Sequence, residues 1–83
     1  MLGLDVKVLG NPSASYFNLA VMSADKSPVI VRVLDISGRA VGSLQTTASN
    51  SILRLGEKWI AGTYFAEVIQ GDQRRVIKMI KIK

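Results

Sequence analysis

Two packed antiparallel β-sheets built from seven short strands, without helix, are what this sequence predicts. Three observations predict it. Runs of alternating apolar and polar residues recur at intervals of about 8 to 12 residues. Clusters of Gly, Pro, Asn, Asp and Ser separate the runs. No window keeps apolar residues at i, i+3, i+4 and i+7, as an amphipathic helix would.

Leu4-Asp5-Val6-Lys7-Val8-Leu9 alternates strictly, with Leu4, Val6 and Val8 on one face, as a half-buried strand does. Gly10-Asn11-Pro12 ends it, because Pro12 has no N–H for a ladder and holds Asn11 to extended or turn geometry. Tyr16 to Met22 is a second strand whose apolar set is Phe17, Leu19 and Val21. Past the polar connection Ser23 to Pro28, Val29 to Leu34 is β-branched, with Val29, Val31 and Val33 on one side and Arg32 on the other. Asp35-Ile36-Ser37-Gly38 fits a type I turn with Asp first and Gly fourth, where a left-handed residue makes a G1 bulge. Arg39 to Thr46 returns as a fourth strand with Val41 inward, weakened by Gly42 and Ser43. Thr47-Ala48-Ser49-Asn50 turns, and Ile52, Leu53 and Leu55 give a short fifth strand closed by Gly56-Glu57-Lys58.

Trp59-Ile60-Ala61-Gly62 leads into a terminal β-hairpin around Gly71-Asp72, where Gly supplies the φ > 0 that the first position of a two-residue turn requires. With Gln70 opposite Gln73, Val68, Ala66 and Tyr64 line up with Arg75, Ile77 and Met79 on a mostly apolar face. Ile69, Glu67 and Phe65 lie opposite Arg74, Val76 and Lys78 on a half-wet face, with Glu67 diagonal to both Arg74 and Lys78. A slip of one residue would carry Glu67 and Lys78 among the apolar side chains, so pattern and turn select the same register. Ile80 and Ile82 fall on the wetter face, and nothing in the hairpin accounts for them. Together the seven strands indicate an immunoglobulin-like β-sandwich, without the cysteine pair of antibody domains.

The chain has 83 residues, enough for a single small domain that buries about 60% of its unfolded surface. It has no Cys, so packing must stabilise it without disulfides or thiolate metal sites. The absence of His removes imidazole bases and the usual zinc ligands. No apolar run approaches the ~20 residues of a membrane-spanning helix. Met1-Leu2-Gly3-Leu4 has neither the basic nor the apolar region of a signal peptide, so any export signal is expected elsewhere on the protein.

Asp35 beside Ser37 supplies one carboxylate and one hydroxyl, well short of the roughly 6 to 8 oxygens calcium takes, and neither metal nor cofactor is expected. No Ser-Lys pair shares a rigid element with an oxyanion hole, and the six acidic residues are dispersed, so the domain reads as non-catalytic. Arg74, Arg75, Lys78, Lys81 and Lys83 would attract phosphates, yet no aromatic residues interleave with them. Guarding an edge strand against aggregation is the stronger reading, and no nucleic-acid partner is expected. Trp59, Tyr16, Phe17, Tyr64 and Phe65 read as core or rim, with Trp59 the best candidate for a sugar platform because it lies in a loop.

Three segments carry a more specific signal: Asn11-Pro12 ahead of a strand, Asp35-Ile36-Ser37-Gly38-Arg39-Ala40-Val41, and Ala61-Gly62-Thr63-Tyr64-Phe65-Ala66-Glu67-Val68 leading to Lys78-Met79-Ile80-Lys81. In this order and spacing they resemble the C-terminal sorting domain of cargo proteins of the type IX (Por) secretion system in Bacteroidetes-type bacteria. The motif residues are Asn11, Pro12, Asp35, Gly38, Arg39, Gly62, Tyr64 and Gly71. Asp35 and Gly38 would set the tight turn, Gly62 would permit close backbone approach, and Tyr64 would place a polar tip at the core edge. Two departures fall in loops: Gly10 where the family often has Pro, and Trp59-Ile60 where it often has Leu-Pro.

The resemblance implies a secretion signal occupying residues 1–83, with 1–3 the remnant of a linker to an N-terminal cargo domain that this chain lacks. The partners it implies are the outer-membrane translocon, its shuttle component and a cell-surface sortase that cuts at or before Met1-Leu2-Gly3. The implied route runs through the periplasm to the cell surface or medium, with no direct membrane insertion by the domain. The tail Lys78-Met79-Ile80-Lys81-Ile82-Lys83 is expected to be the part read by the machinery, as an exposed sheet edge with free backbone donors and acceptors. The competing reading is an accessory adhesion or carbohydrate-binding sandwich of a secreted protein.

Overall fold

The computed structural model describes residues 3–42 and 44–83, and these form seven strands in two antiparallel sheets with no helix. The strands are β1 (Asp5–Leu9), β2 (Phe17–Met22), β3 (Val29–Asp35), β4 (Gln45–Thr47), β5 (Ser51–Leu55), β6 (Gly62–Gln70) and β7 (Gln73–Lys81). One sheet has the order β1-β2-β5 and the other β4-β3-β6-β7. This three-on-four arrangement is an immunoglobulin-like sandwich, as the strand spacing predicts.

Alternation builds the core. Phe17, Leu19 and Val21 of β2 and Val29, Val31 and Val33 of β3 are buried together with Leu4, Val6, Leu55, Tyr64, Ala66, Val68 and Met79. Each large side chain of this set contributes about 1.5–3 kcal/mol by leaving water, so a single truncation removes a sizeable share of a small domain's stability.

The hairpin forms in the predicted register, from Gln70↔Gln73 at the turn through Tyr64↔Met79 to Gly62↔Lys81. Gly71 takes φ 60°, while Asp72 keeps an ordinary negative φ, so the glycine alone carries the special conformation. The β3 turn is also as predicted: the Gly38 N–H donates to the Asp35 carbonyl at 3.0 Å, and Gly38 takes φ 90°.

Two expectations are corrected. The fourth strand does not run from Arg39 to Thr46. Val41 donates to the Val33 carbonyl at 2.8 Å, but at Gly42 (φ 72°) the chain leaves the ladder, and pairing resumes only at Gln45. Ser43 lies outside the described residues. The half-wet hairpin face is drier than its pattern suggests, because Glu67 is only 4% exposed. Its cover comes from β3, where Arg32 stands directly opposite.

Each end of the sandwich is closed by side chains holding backbone. At one end buried Gln70 accepts the Ser23 hydroxyl at 2.6 Å and donates to the carbonyls of Asp25 and Ser27 at 2.9 and 2.8 Å, fixing the β2–β3 connection. At the other end Trp59 stacks on Tyr64 with ring centroids 4.4 Å apart, and the Tyr64 hydroxyl donates to the Ile60 carbonyl at 2.7 Å. A tyrosine bonded in this way to backbone a few residues upstream is the tyrosine corner of immunoglobulin-like folds.

Candidate functional site

The candidate site is the outer edge of β7, where the tail meets the segment after β1. Met79 is fully buried, and Lys81 is only 3% exposed. The Lys81 ammonium donates to the carbonyls of Ser15 and Gly56, which belong to two different loops. Lys78, Ile80, Ile82 and Lys83 remain on the solvent side, with Ile80 38% and Ile82 56% exposed. The six tail residues therefore divide into an inward pair, Met79 and Lys81, and an outward four.

The edge beside this tail is not free, contrary to expectation. The Asn11 side chain donates to the Lys78 carbonyl at 2.7 Å and accepts the Ile80 N–H at 2.9 Å, as the backbone of a neighbouring strand would. Ser13 continues the mimicry: its N–H donates to the Ile80 carbonyl at 3.0 Å and its carbonyl accepts the Ile82 N–H at 2.9 Å, forming a short parallel bridge. The Asn11–Pro12 peptide between them is cis. Asn11 thus sits against a tail 67 to 69 positions further along the chain, a pairing no local pattern shows.

The remaining motif residues hold turns. Asp35 accepts the Ser37 N–H at 3.0 Å, the Ser37 hydroxyl at 2.7 Å and the Arg39 N–H at 3.0 Å. These bonds, led by that from the Ser37 hydroxyl, hold the Asp35 carboxyl below its usual range. The Arg39 guanidinium lies 3.7 Å from the same carboxylate. Gly62 makes no close approach, since a Cβ there would meet only the Tyr64 ring at 3.9 Å. Gly56 is crowded by aromatic rings, since a Cβ there would come within 2.8 Å of Trp59 and 2.9 Å of Phe17.

Electrostatically the outer hairpin face centres on Glu67. Its carboxylate holds Arg32 and Arg74, each at 2.5 Å, whereas Lys78, the other predicted diagonal partner, takes no part. The Arg74 bond above all, with Arg32 assisting, lowers the Glu67 carboxyl below its ordinary value despite the opposing effect of burial. Among the described residues no cluster of three or more acidic, His or Cys side chains is placed to hold a metal ion. Four of the five aromatic rings meet another ring or a cation: Phe17 and Tyr64 flank Trp59, and the Arg54 guanidinium covers Tyr16 at 4.2 Å.

Sequence reasoning missed Ser13, Ser15 and Gly56 as partners of the tail. Parity did carry a signal for Lys81, which shares the strand face of the inward Ile77 and Met79. A family model described as the secretion system C-terminal sorting domain matches residues 7–83, all but the first six residues. No curated protein and no solved structure matches the chain.

Proposed function

Because the chain belongs to the family of secretion system C-terminal sorting domains, the signals of type IX secretion, we propose that it directs an attached cargo protein across an outer membrane and carries out no catalysis itself. The family match over residues 7–83 carries this reading. The cargo would precede residue 1 on the same polypeptide, pass through the periplasm, engage the translocon and its shuttle component, and be severed from the domain by a surface sortase at or before Met1-Leu2-Gly3.

Recognition falls to the outward members of the tail. Lys78, Ile80 and Ile82 present two apolar side chains and a cation on one solvent-facing stripe, with exposed Lys83 just beyond it, whereas Met79 and Lys81 are committed to the fold. Ile80 and Ile82 are exposed, and a partner that covers them gains the free energy of removing apolar surface from water. The competing carbohydrate-binding reading draws no support from Trp59, its best candidate, whose ring packs between Phe17 and Tyr64.

The test fuses residues 1–83 behind a periplasm-directed fluorescent protein in a type IX-competent host. Fluorescence at the surface or in the medium, lost in a host lacking the translocon, supports the proposal. Retention in the periplasm, or retention of the isolated domain on a glycan array, defeats it.

A further inference from the structure

Among the described residues, the edge of β7, the last strand of its sheet, is covered at both ends and bare in the middle. In the hairpin, Gln70 and Gln73 flank the two-residue turn and bond each other, so the backbone groups of Arg74, Val76, Lys78 and Ile80 point away from β6. The caps obey this parity, falling on the Lys78 carbonyl and on both groups of Ile80. At the turn end Gln73 accepts the Leu4 N–H at 2.8 Å, and the Arg75 guanidinium takes the Arg74 carbonyl at 3.0 Å. Among the described residues, the N–H of Arg74, the N–H and carbonyl of Val76 and the N–H of Lys78 are left without a partner.

Unpaired groups in this spacing are a template for an added strand. The side chains beside them decide which strand fits. Arg74, Val76 and Lys78 share the outer face and are all exposed, Val76 at 45%. The one carboxylate within the two hairpin strands, Glu67, is already held by Arg32 and Arg74. Arg74 uses its Nε for that bond, and its fork has further donors to offer.

We infer that the open stretch Arg74–Lys78 binds one extended peptide segment of alternating pattern acidic, any, apolar, any, acidic. The apolar side chain lies beside Val76, and the acids lie beside Arg74 and Lys78. The bare stretch and its cations specify this partner independently of the export reading, and the binding needs no secretion machinery to be observed. A nucleic-acid strand would satisfy the cations but would leave the Val76 carbonyl without a donor from a peptide backbone.

The experiment titrates isotopically labelled chain 1–83 with a capped heptapeptide, Thr-Glu-Thr-Val-Thr-Glu-Thr, and follows backbone amides by NMR. Amide shifts at Arg74, Val76 and Lys78 are expected, while the Ile80 and Ile82 amides, already bonded to Asn11 and Ser13, stay in place. Replacing Glu by Lys in the peptide abolishes the shifts. Lys78→Glu weakens binding of the acidic peptide by about tenfold, and a peptide carrying one Glu and one Lys recovers it. Val76→Pro removes one outward donor at an edge position where proline is tolerated, and weakens both. Equal shifts with acidic and basic peptides, no shift at millimolar peptide, shifts centred on another strand, or the same shifts from a single-stranded oligonucleotide would each overturn the inference.

Discussion

The ammonium group of Lys81 donates to the carbonyl of Gly56, joining the end of β7 to the turn that follows β5 in the opposite sheet. A second bond, to the Ser15 carbonyl, draws in the loop after β1. No carboxylate lies within ion-pair reach of this nitrogen among the described residues, so two backbone carbonyls alone stabilise a cation that the fold has largely removed from water. Hydrogen bonds to charged groups contribute more than neutral ones, and Lys81→Ala is expected to cost about 2–3 kcal/mol. In a domain this small that lowers the Tm by roughly 10–20 °C. Lys81→Met, which keeps the apolar stem, recovers part of the loss; a Met variant as stable as the parent would show that the two bonds contribute nothing.

Asn11 acts on the same strand from outside. Asn11→Ala strips the Lys78 carbonyl and the Ile80 N–H of their partners, at a cost of about 1–2 kcal/mol. Hydrogen exchange locates the effect: the Ile80 amide exchanges faster, while that of Ile82, held by the Ser13 carbonyl, keeps more of its protection. Uniform acceleration along β7 would mean that the side chain supports the whole strand instead of capping two groups.

The Trp59 end separates crowding from hydrogen bonding. Gly56→Ala places a methyl group within 2.8 Å of Trp59 and 2.9 Å of Phe17 at a backbone of φ 85°, so it must displace an aromatic ring and strain the chain. The expected cost is about 2–4 kcal/mol, accompanied by a changed Trp59 fluorescence spectrum. Tyr64→Phe removes only the bond to the Ile60 carbonyl, costing about 1 kcal/mol and leaving the spectrum nearly unchanged because the ring stack persists.

These sites also show where local pattern suffices and where it fails. The hairpin register was legible because Gly71-Asp72 and the alternation from Tyr64 to Met79 are local and agree with each other. The Asp35 turn was legible for the same reason. The break at Gly42 was only hinted at, since a glycine in a strand pattern is compatible with either continuation or departure. The pairing of Asn11 with Ile80 and of Lys81 with Gly56 joins residues far apart in the chain, and no periodicity encodes it. Arg32 was visible as an outward residue of the third strand, but its pairing with Glu67 depends on which strands become neighbours, a property of the sheet order.

Glu67 gives the fold an acid-sensitive element. Its carboxyl lies below its ordinary value of 4.5 in the folded chain, chiefly through the bond from Arg74. A carboxylate depressed by folding contributes stability that is fully present above its unfolded value and is lost as pH falls through the folded one. The parent should therefore lose stability as pH falls below 4.5, and Glu67→Gln should flatten that limb while lowering the plateau at neutral pH. Urea midpoints measured between neutral and acid pH test this; parallel curves for the two proteins would show that the ion pairs with Arg32 and Arg74 add nothing on balance.

The division of the tail into inward and outward residues separates recognition from folding. Met79 is fully buried, so Met79→Ala is expected to cost about 2–5 kcal/mol and to impair export only as far as it unfolds the domain. Ile80 and Ile82 face water, and their backbone bonds to Asn11 and Ser13 do not involve the side chains. The double variant Ile80→Asp, Ile82→Asp should therefore keep its Tm within a few degrees while leaving the fluorescent fusion inside the cell, because a partner that covers apolar side chains must then bury two unpaired carboxylates. The double variant Lys78→Ala, Lys83→Ala, at the two exposed cations of the tail, should retain the fold and reduce export less, since exposed ion pairs contribute little. Normal secretion of the double Asp variant would remove the outward stripe from consideration, whatever the fate of the Met79 variant.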